Sequence, residues 1–309
     1  MTFNRSDPDH CDDLADIWND ALGPQMAIRP RFVGYSAQPA AGAQSAGQWQ
    51  HEDGVRVGAV LVSAKGGEGW IDALVVRRQA QRRGHGGALL AWAEDWLRAA
   101  GASVIHVGAG LRPFVPGVPV ESTSLDFFVK RSYTAGPHIW DVARSLATWT
   151  PPPVPTGLHV APASSTDLPA LDAFLAREFP GRWHFEFQEF KRERGWAHDY
   201  VLTWRGGQVV GFCRLTLEPD SERPIDRYYL HGLPQPWGQL GPIGVAGGLR
   251  GGGFGRATLE GGLSELHRRG VNGAVIDWTD LIGFYGKFGF KPWREYIRVE
   301  RPLPQVPDV

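Results

Sequence analysis

Two short glycine-rich stretches carry the clearest chemistry in this chain. The first runs Gln81, Arg82, Arg83, Gly84, His85, Gly86; the second runs Arg250, Gly251, Gly252, Gly253, Phe254, Gly255. Each follows a β-like run, 70–76 or 240–245, and each opens a helix-like run. A turn of this kind aims successive backbone N–H groups outward at a helix N-terminus, where anions bind, pyrophosphate above all. Glycine lets an oxygen approach the main chain closely because there is no Cβ in the way. One such stretch is equally explained by tight packing of strand on helix. Its recurrence in the same strand–turn–helix context favours the anion reading. Neither copy has the Gly-Lys-Ser/Thr ending of a nucleotide-triphosphate loop. Neither has the third glycine and the later acidic residue that a dinucleotide fold wants.

The elements that must position these turns fall into two similar halves. A chain of 309 residues favours two domains of about 150 residues each. Pro151, Pro152, Pro153 and Pro155 mark a stiff spacer near the midpoint. The expected division is therefore 1–150, a linker at 151–156, and 157–309. In the first half, 8–22 reads as an acid-capped helix with Leu14, Ile17, Trp18 and Leu22 on one face. Strands follow near 47–52, 55–63 and 70–76. In the second half, 167–179 repeats the early helix, and strands fit 200–204, 209–217 and 240–245, with Gly206-Gly207 as a hairpin turn. After each glycine turn an amphipathic helix ends at a glycine, Gly101 or Gly270, and leads into a fifth strand at 103–107 or 274–277. The β–turn–helix–β order requires a right-handed crossover and a parallel pair within a mixed sheet.

A third element repeats as well. Phe127-Phe128-Val129-Lys130-Arg131-Ser132-Tyr133 answers to Phe284-Tyr285-Gly286-Lys287-Phe288-Gly289-Phe290. Between its two motifs the first half carries an insertion of roughly one loop's length, assigned to 108–120. With these residues in view, the chain resembles the GNAT superfamily of acyl-CoA-dependent N-acyltransferases, in tandem and over nearly its whole length. The resemblance implies two α/β (α+β) domains, each a mostly antiparallel twisted sheet whose parallel fourth and fifth strands splay apart between flanking helices.

The resemblance further implies acetyl-CoA as co-substrate, with its pyrophosphate on Gln81–Gly87 and Arg250–Arg256. Its pantetheine arm would lie along the backbone of Ile243 and Val245, and of Leu74 and Val76 in the first half. It places Tyr285 where the family commonly carries the acid that reprotonates the departing thiolate; a phenol with a pKa of about 10 can do so at neutral pH. Packing alone also explains an aromatic there. Phe128 holds the matching position and has no proton to give, so the second half is the expected catalytic lobe. For the base, Asp277 at the end of the fifth strand and His231 in the loop before the fourth strand compete with a water relay. Asp277 can equally cap the following helix, and His231 can be an ordinary loop residue. Tyr228, Tyr229 and Trp237 offer flat faces for an acceptor, or else a rigid cover for the core. The loop with Leu111, Pro113, Phe114 and Val115 is either an acceptor rim or a pad between lobes.

Composition limits the partners. A net charge of −1 gives no basic field for nucleic acid or an anionic membrane. No run approaches the roughly 20 apolar residues of a membrane span, and the start of the chain is too polar and acidic for a secretory signal. Cys11 and Cys213, one per half, make neither a disulfide framework nor a metal cluster. The expectation is a cytoplasmic monomer or homodimer, without a metal, that acetylates a primary amine of a small molecule or peptide by direct attack in a ternary complex. The rival expectation is a non-catalytic acyl-CoA sensor whose first lobe serves as a regulatory or assembly surface.

Overall fold

A computed structural model describes residues 2–4, 7–217 and 234–303. The described chain forms two compact units, one built from 2–140 with 294–303 and the other from 141–217 with 234–293. These are not two consecutive stretches of chain. The last strand belongs to the first unit, and the strand before the proline spacer enters the second.

The first unit begins with α1 (Pro8–Leu22), capped by the Asp7 carboxylate, which accepts from the Asp9 N–H at 3.0 Å. Then come α2 (Pro30–Ser36), β1 (Gln44–Glu52), β2 (Val55–Lys65) and β3 (Glu68–Val76). The crossover is α3 (His85–Ala99), which returns to β4 (Val104–Val107). After the insertion, with its short β5 (Val118–Pro119), lie α4 (Ser124–Val129) and β6 (Thr134–Ser145). Strands β1, β2 and β3 pair antiparallel, and β3 pairs parallel with β4. Leu89, Leu90, Ala93 and Leu97 of α3 press onto Val60, Val62, Ile71 and Ile105 of the sheet. The period of 3.6 in the helix meets the period of 2 in the strands there.

In the second unit, β7 (His159–Pro162) precedes α5 (Leu168–Glu178), α6 (Arg182–Arg192), β8 (Tyr200–Arg205) and β9 (Gln208–Leu217). The turn between β8 and β9 has both glycines left-handed, Gly206 at φ 55° and Gly207 at φ 77°, as a two-residue hairpin requires. Then follow β10 (Trp237–Val245), α7 (Phe254–Arg268), β11 (Gly273–Thr279), α8 (Ile282–Gly286) and β12 (Lys291–Pro302). Leu259, Leu263 and Leu266 are the buried stripe of α7. Phe174, Phe187, Phe190, Tyr200 and Phe212 form an aromatic core between α5, α6 and the sheet.

The end of β12 completes the first unit by pairing antiparallel with β4, Val299 opposite Val107 and Arg301 opposite Ile105. Ile297 and Val299 are buried in the first unit's core, and Arg301 Nη1 meets Glu94 Oε1 at 2.8 Å. In the second unit the strand beside β11 is β6, and just beyond it the Leu146 N–H donates to Asn272 O at 2.7 Å. Each unit therefore closes its sheet with a strand from the far half of the sequence. Among the described residues no helix is long and apolar enough to cross a membrane.

Both parallel pairs splay. The β3–β4 ladder ends at Ile71 and Val107, although β3 continues to Val76. The β10–β11 ladder ends at Gln239 and Val275, although β10 continues to Val245. Each splayed strand also carries one extra residue against its antiparallel neighbour, at Asp72 in β3 and around Gly241-Pro242 in β10. Such a bulge re-aims the strand where pairing stops.

Candidate active site

The two glycine turns match in backbone angle at three corresponding positions. Gln81 (φ −68°, ψ 161°) and Arg250 (φ −63°, ψ 145°) are extended after a short 3-10 turn. Arg82 (φ 62°) and Gly251 (φ 81°) then turn left-handed. Gly84 (φ 91°) and Gly253 (φ 84°) do so again as the N-caps of α3 and α7. At Gly84 and Gly253 nothing crowds the position of a Cβ, so glycine is there for its backbone angle. Gly86 and Gly255 serve packing instead, with a Cβ falling 3.4 Å from the Phe127 ring and 3.9 Å from Phe284. Neither helix has a side-chain cap, so no side chain takes up the N–H groups of the first turn, as an anion cradle would require.

Around the first cradle, Gln81 Nε2 donates to Val76 O at 3.0 Å, and Glu52 Oε1 lies 2.7 Å from Arg83 and 3.5 Å from His85. Around the second, Arg250, Gly251 and Gly252 are exposed, and Arg256 pairs with Glu260 at 2.9 Å along α7. The half-buried Phe254 ring lies under the Arg205 guanidinium. The approach differs too. Ile243 and Val245 are half-buried, whereas Val76 is 8% exposed.

At the mouth of the second splay, Asp277 on β11 faces the bulge of β10. A Cβ on Gly241 would lie 3.4 Å from its Oδ1. Tyr285 on α8 is 4% exposed and held edge-on by Phe284 and Phe290. Burial first, then the charge of Asp277, and less so Cys213 and Asp280, raise the Tyr285 pKa above the usual phenol range. The hydroxyl therefore keeps its proton at neutral pH. Asp277 does not cap α8: the N-cap is Leu281, whose N–H donates to Thr279 Oγ1 at 2.9 Å.

Immediately after Asp277 the chain bends through Trp278, a left-handed residue at φ 53°. A bulky residue in that region is strained by about 1–2 kcal/mol. The bend is held by the fully buried Asp141 of β6, whose Oδ1 accepts from the Trp278 N–H at 3.3 Å. Arg182 stacks on the Trp278 ring at 4.4 Å. Phe179 and Trp183 lie so close to Gly244 that a Cβ there would sit 2.6 Å and 2.8 Å from their rings. Phe179, Arg182, Trp183 and Trp278 thus gather beside β10 and the end of β11. Sequence reasoning missed this wall of side chains. The aromatic cluster at 179–190 is its only sequence signal, and it reads as core.

Other expectations separate. Trp237 is not an acceptor wall: it is 0% exposed and pairs with Gly273 in the closed half of the β10–β11 ladder. Its apolar ring is core at the end of β10 opposite the glycine turn. Tyr228, Tyr229 and His231 lie outside the described residues. Phe114 is core rather than rim, packed against Trp18 (tilted) and Phe32 (edge-on) with ring centroids 5.4 Å apart in each case. Phe128 is 4% exposed and takes the place in the first unit that Tyr285 takes in the second, edge-on to Phe127 and Tyr133.

Comparison with known proteins agrees with this geometry. The family described as acetyltransferase (GNAT) matches residues 14–112 and again 168–290, one match per half. A mycothiol acetyltransferase of Catenulispora acidiphila is 28% identical over 245 residues, 75% of this chain and 72% of that protein. Among solved structures, a tandem GNAT protein from the clavulanic acid biosynthesis pathway matches with TM-score 0.74 at 15% identity, covering 99% of each chain. The glucosamine N-acetyltransferase region of a fungal multi-domain β-N-acetylglucosaminidase matches with TM-score 0.85 at 22% identity. It covers 97% of this chain, which spans 38% of that one. At these identities the two structures speak for the fold alone.

Proposed function

This chain belongs to the acetyltransferase (GNAT) family, and we propose that its second unit moves an acetyl group from acetyl-CoA to a primary amine of a small molecule. The supporting observation is the convergence of Asp277, the β10 bulge and a proton-bearing Tyr285 at the mouth of one splayed strand pair whose glycine turn forms an anion cradle. When bound, acetyl-CoA supplies the activated thioester. The N–H groups from Gly251 to Arg256 hold its pyrophosphate. The released edge of β10 along Ile243 and Val245 takes the pantetheine amides, because that edge has parted from β11. Asp277 accepts the proton the attacking amine must lose, and Tyr285 gives its proton to the departing sulfur. Phe179, Trp183 and Trp278 orient the acceptor and exclude water.

The first unit keeps the cradle but has Phe128 where the acid would stand, so it adds no second catalytic centre. The name of the curated relative makes a mycothiol-related small amine the first acceptor to try. The test is a thiol-release assay with acetyl-CoA over a panel of amines. Turnover by the wild type and a kcat lowered about 10²-fold or more in Tyr285→Phe are expected. Unchanged turnover in that variant would remove Tyr285 from the reaction.

A further inference from the structure

We propose that the first unit carries a separate binding site for a small zwitterion of the α-amino acid class, in the cavity between the end of α2, strands β1 and β2, and the bulge of β3. The cavity is small, about 60 Å³ measured as room for the centres of water-sized spheres, enough for roughly four or five waters and so for a molecule no larger than a small amino acid. Its lining is unusually polar for a buried place. Ser36 and Ser63 are 5% and 8% exposed, and their hydroxyls have no hydrogen-bonding partner among the described residues. A hydroxyl buried this way is destabilising unless something in the cavity meets it.

Two opposite charges face the same space. Asp72, at the bulge, is 7% exposed, and Arg112, just beyond β4, is 6% exposed. The Arg112 guanidinium lies over the Tyr35 ring at 4.5 Å. That contact covers one face of the guanidinium, whose planar N–H fork has the shape to bind a carboxylate. A Cβ at Gly110 would run into the Asp72 carboxylate, so glycine there gives the acid room. A buried carboxylate and a buried guanidinium match a ligand that brings an ammonium and a carboxylate together. A lone anion or lone cation would leave one wall with an added charge to bury. The paired hydroxyls suit the remaining lone pairs and any short polar side chain.

The site lies wholly in the unit that has Phe128 in place of Tyr285, so its occupant is held and not acetylated there. Titration calorimetry on the full chain with L-serine, L-alanine, acetate, ethylamine and glycerol tests this. Saturable binding of an amino acid is expected, with acetate, ethylamine and glycerol each at least about tenfold weaker. Ser36→Ala with Ser63→Ala should weaken amino-acid binding by about tenfold, with the thermal melt and acetyl-CoA binding kept. Should the double variant not fold, Ser63→Cys serves instead, with L-serine slowing its modification by a thiol reagent. No saturable binding of either amino acid up to about 10 mM would show a cavity that holds water only and overturn the proposal. So would equal binding of acetate or glycerol, unchanged affinity in the double variant, or no protection of Cys at position 63.

Discussion

The first unit places its carboxylate on the bulged strand; the second places it on the strand across the gap. Asp72 stands in the β3 bulge opposite Gly110, whereas Gly241 stands in the β10 bulge opposite Asp277. The aromatic hydroxyl has moved in the same manner. Phe128 and Tyr133 in one unit answer to Tyr285 and Phe290 in the other, with like ring geometry. The Tyr133 hydroxyl donates to Glu94 at 3.1 Å, toward the crossover helix, while Tyr285 is under the field of Asp277. Even the left-handed bend after the splayed strand is kept, at Ala109 (φ 55°) and Trp278 (φ 53°). Its N–H bonds to Val115 O in one unit and to the Asp141 carboxylate in the other. The frame is repeated, and the polar groups within it are redistributed. A duplicated fold can thus set its carboxylate and its aromatic hydroxyl differently in each copy without changing its backbone plan.

The sharpest way to break this comparison is to move the hydroxyl. Tyr285→Phe should lower kcat by about 10²-fold or more, and adding Phe128→Tyr should not restore it, because Gly108 precedes the left-handed Ala109 where Asp277 precedes the left-handed Trp278. Recovery of turnover in the double variant would make the units interchangeable. Next in size is the bend. Asp141→Ala strips the half-buried Trp278 N–H of this acceptor and should destabilise by about 1 kcal/mol, read as a fall in Tm with a fall in kcat. Asp141→Asn keeps an acceptor oxygen and should lose less of both. A smaller effect separates the cradles. Gly84→Ala and Gly253→Ala each force a Cβ into a left-handed N-cap and should destabilise by about 1 kcal/mol, but only Gly253→Ala should raise the KM for acetyl-CoA.

Least in size is the response to pH. The folded-state pKa of Tyr285 is raised, so the stability it lends is full below the unfolded value of about 10 and falls only as pH rises beyond it. The kcat profile should therefore show no loss of this acid below pH of about 10. A descending limb centred well below that would exclude Tyr285 as the donor. Burial likewise pushes the Cys213 thiol up to about 12, so an alkylating reagent should leave it unmodified in the native protein at pH of about 8.

Much of the site was legible because its signals are local. Glycine at 84 and 253 is dictated by φ, the apolar stripes of α3 and α7 by helical period, and the hairpin at Gly206-Gly207 by turn chemistry. The acceptor side was not legible. The wall of Phe179, Arg182, Trp183 and Trp278 joins α5, α6 and β11, and hydrophobic pattern alone cannot tell a core aromatic from one lining a gap. Trp237 was misplaced for the converse reason: a proline-rich approach reads as loop, yet the ring begins a central strand.

By itself the sequence determined that one strand–turn–helix–strand unit occurs twice, that both turns can cradle an anion, and that only one copy carries a tyrosine, Tyr285, at the second position of the motif behind it, where the other has Phe128. Each of these depends on residues within a few turns of one another, where φ limits, helical period and side-chain chemistry suffice. Only the tertiary structure decided that each unit closes its sheet with a strand from the far half of the chain. It alone set Asp277 against Gly241, bent Trp278 onto Asp141 and gathered Ser36, Ser63, Asp72 and Arg112 around one cavity. Those contacts join residues far apart in sequence, and their partners are chosen by packing and burial, which no local pattern encodes.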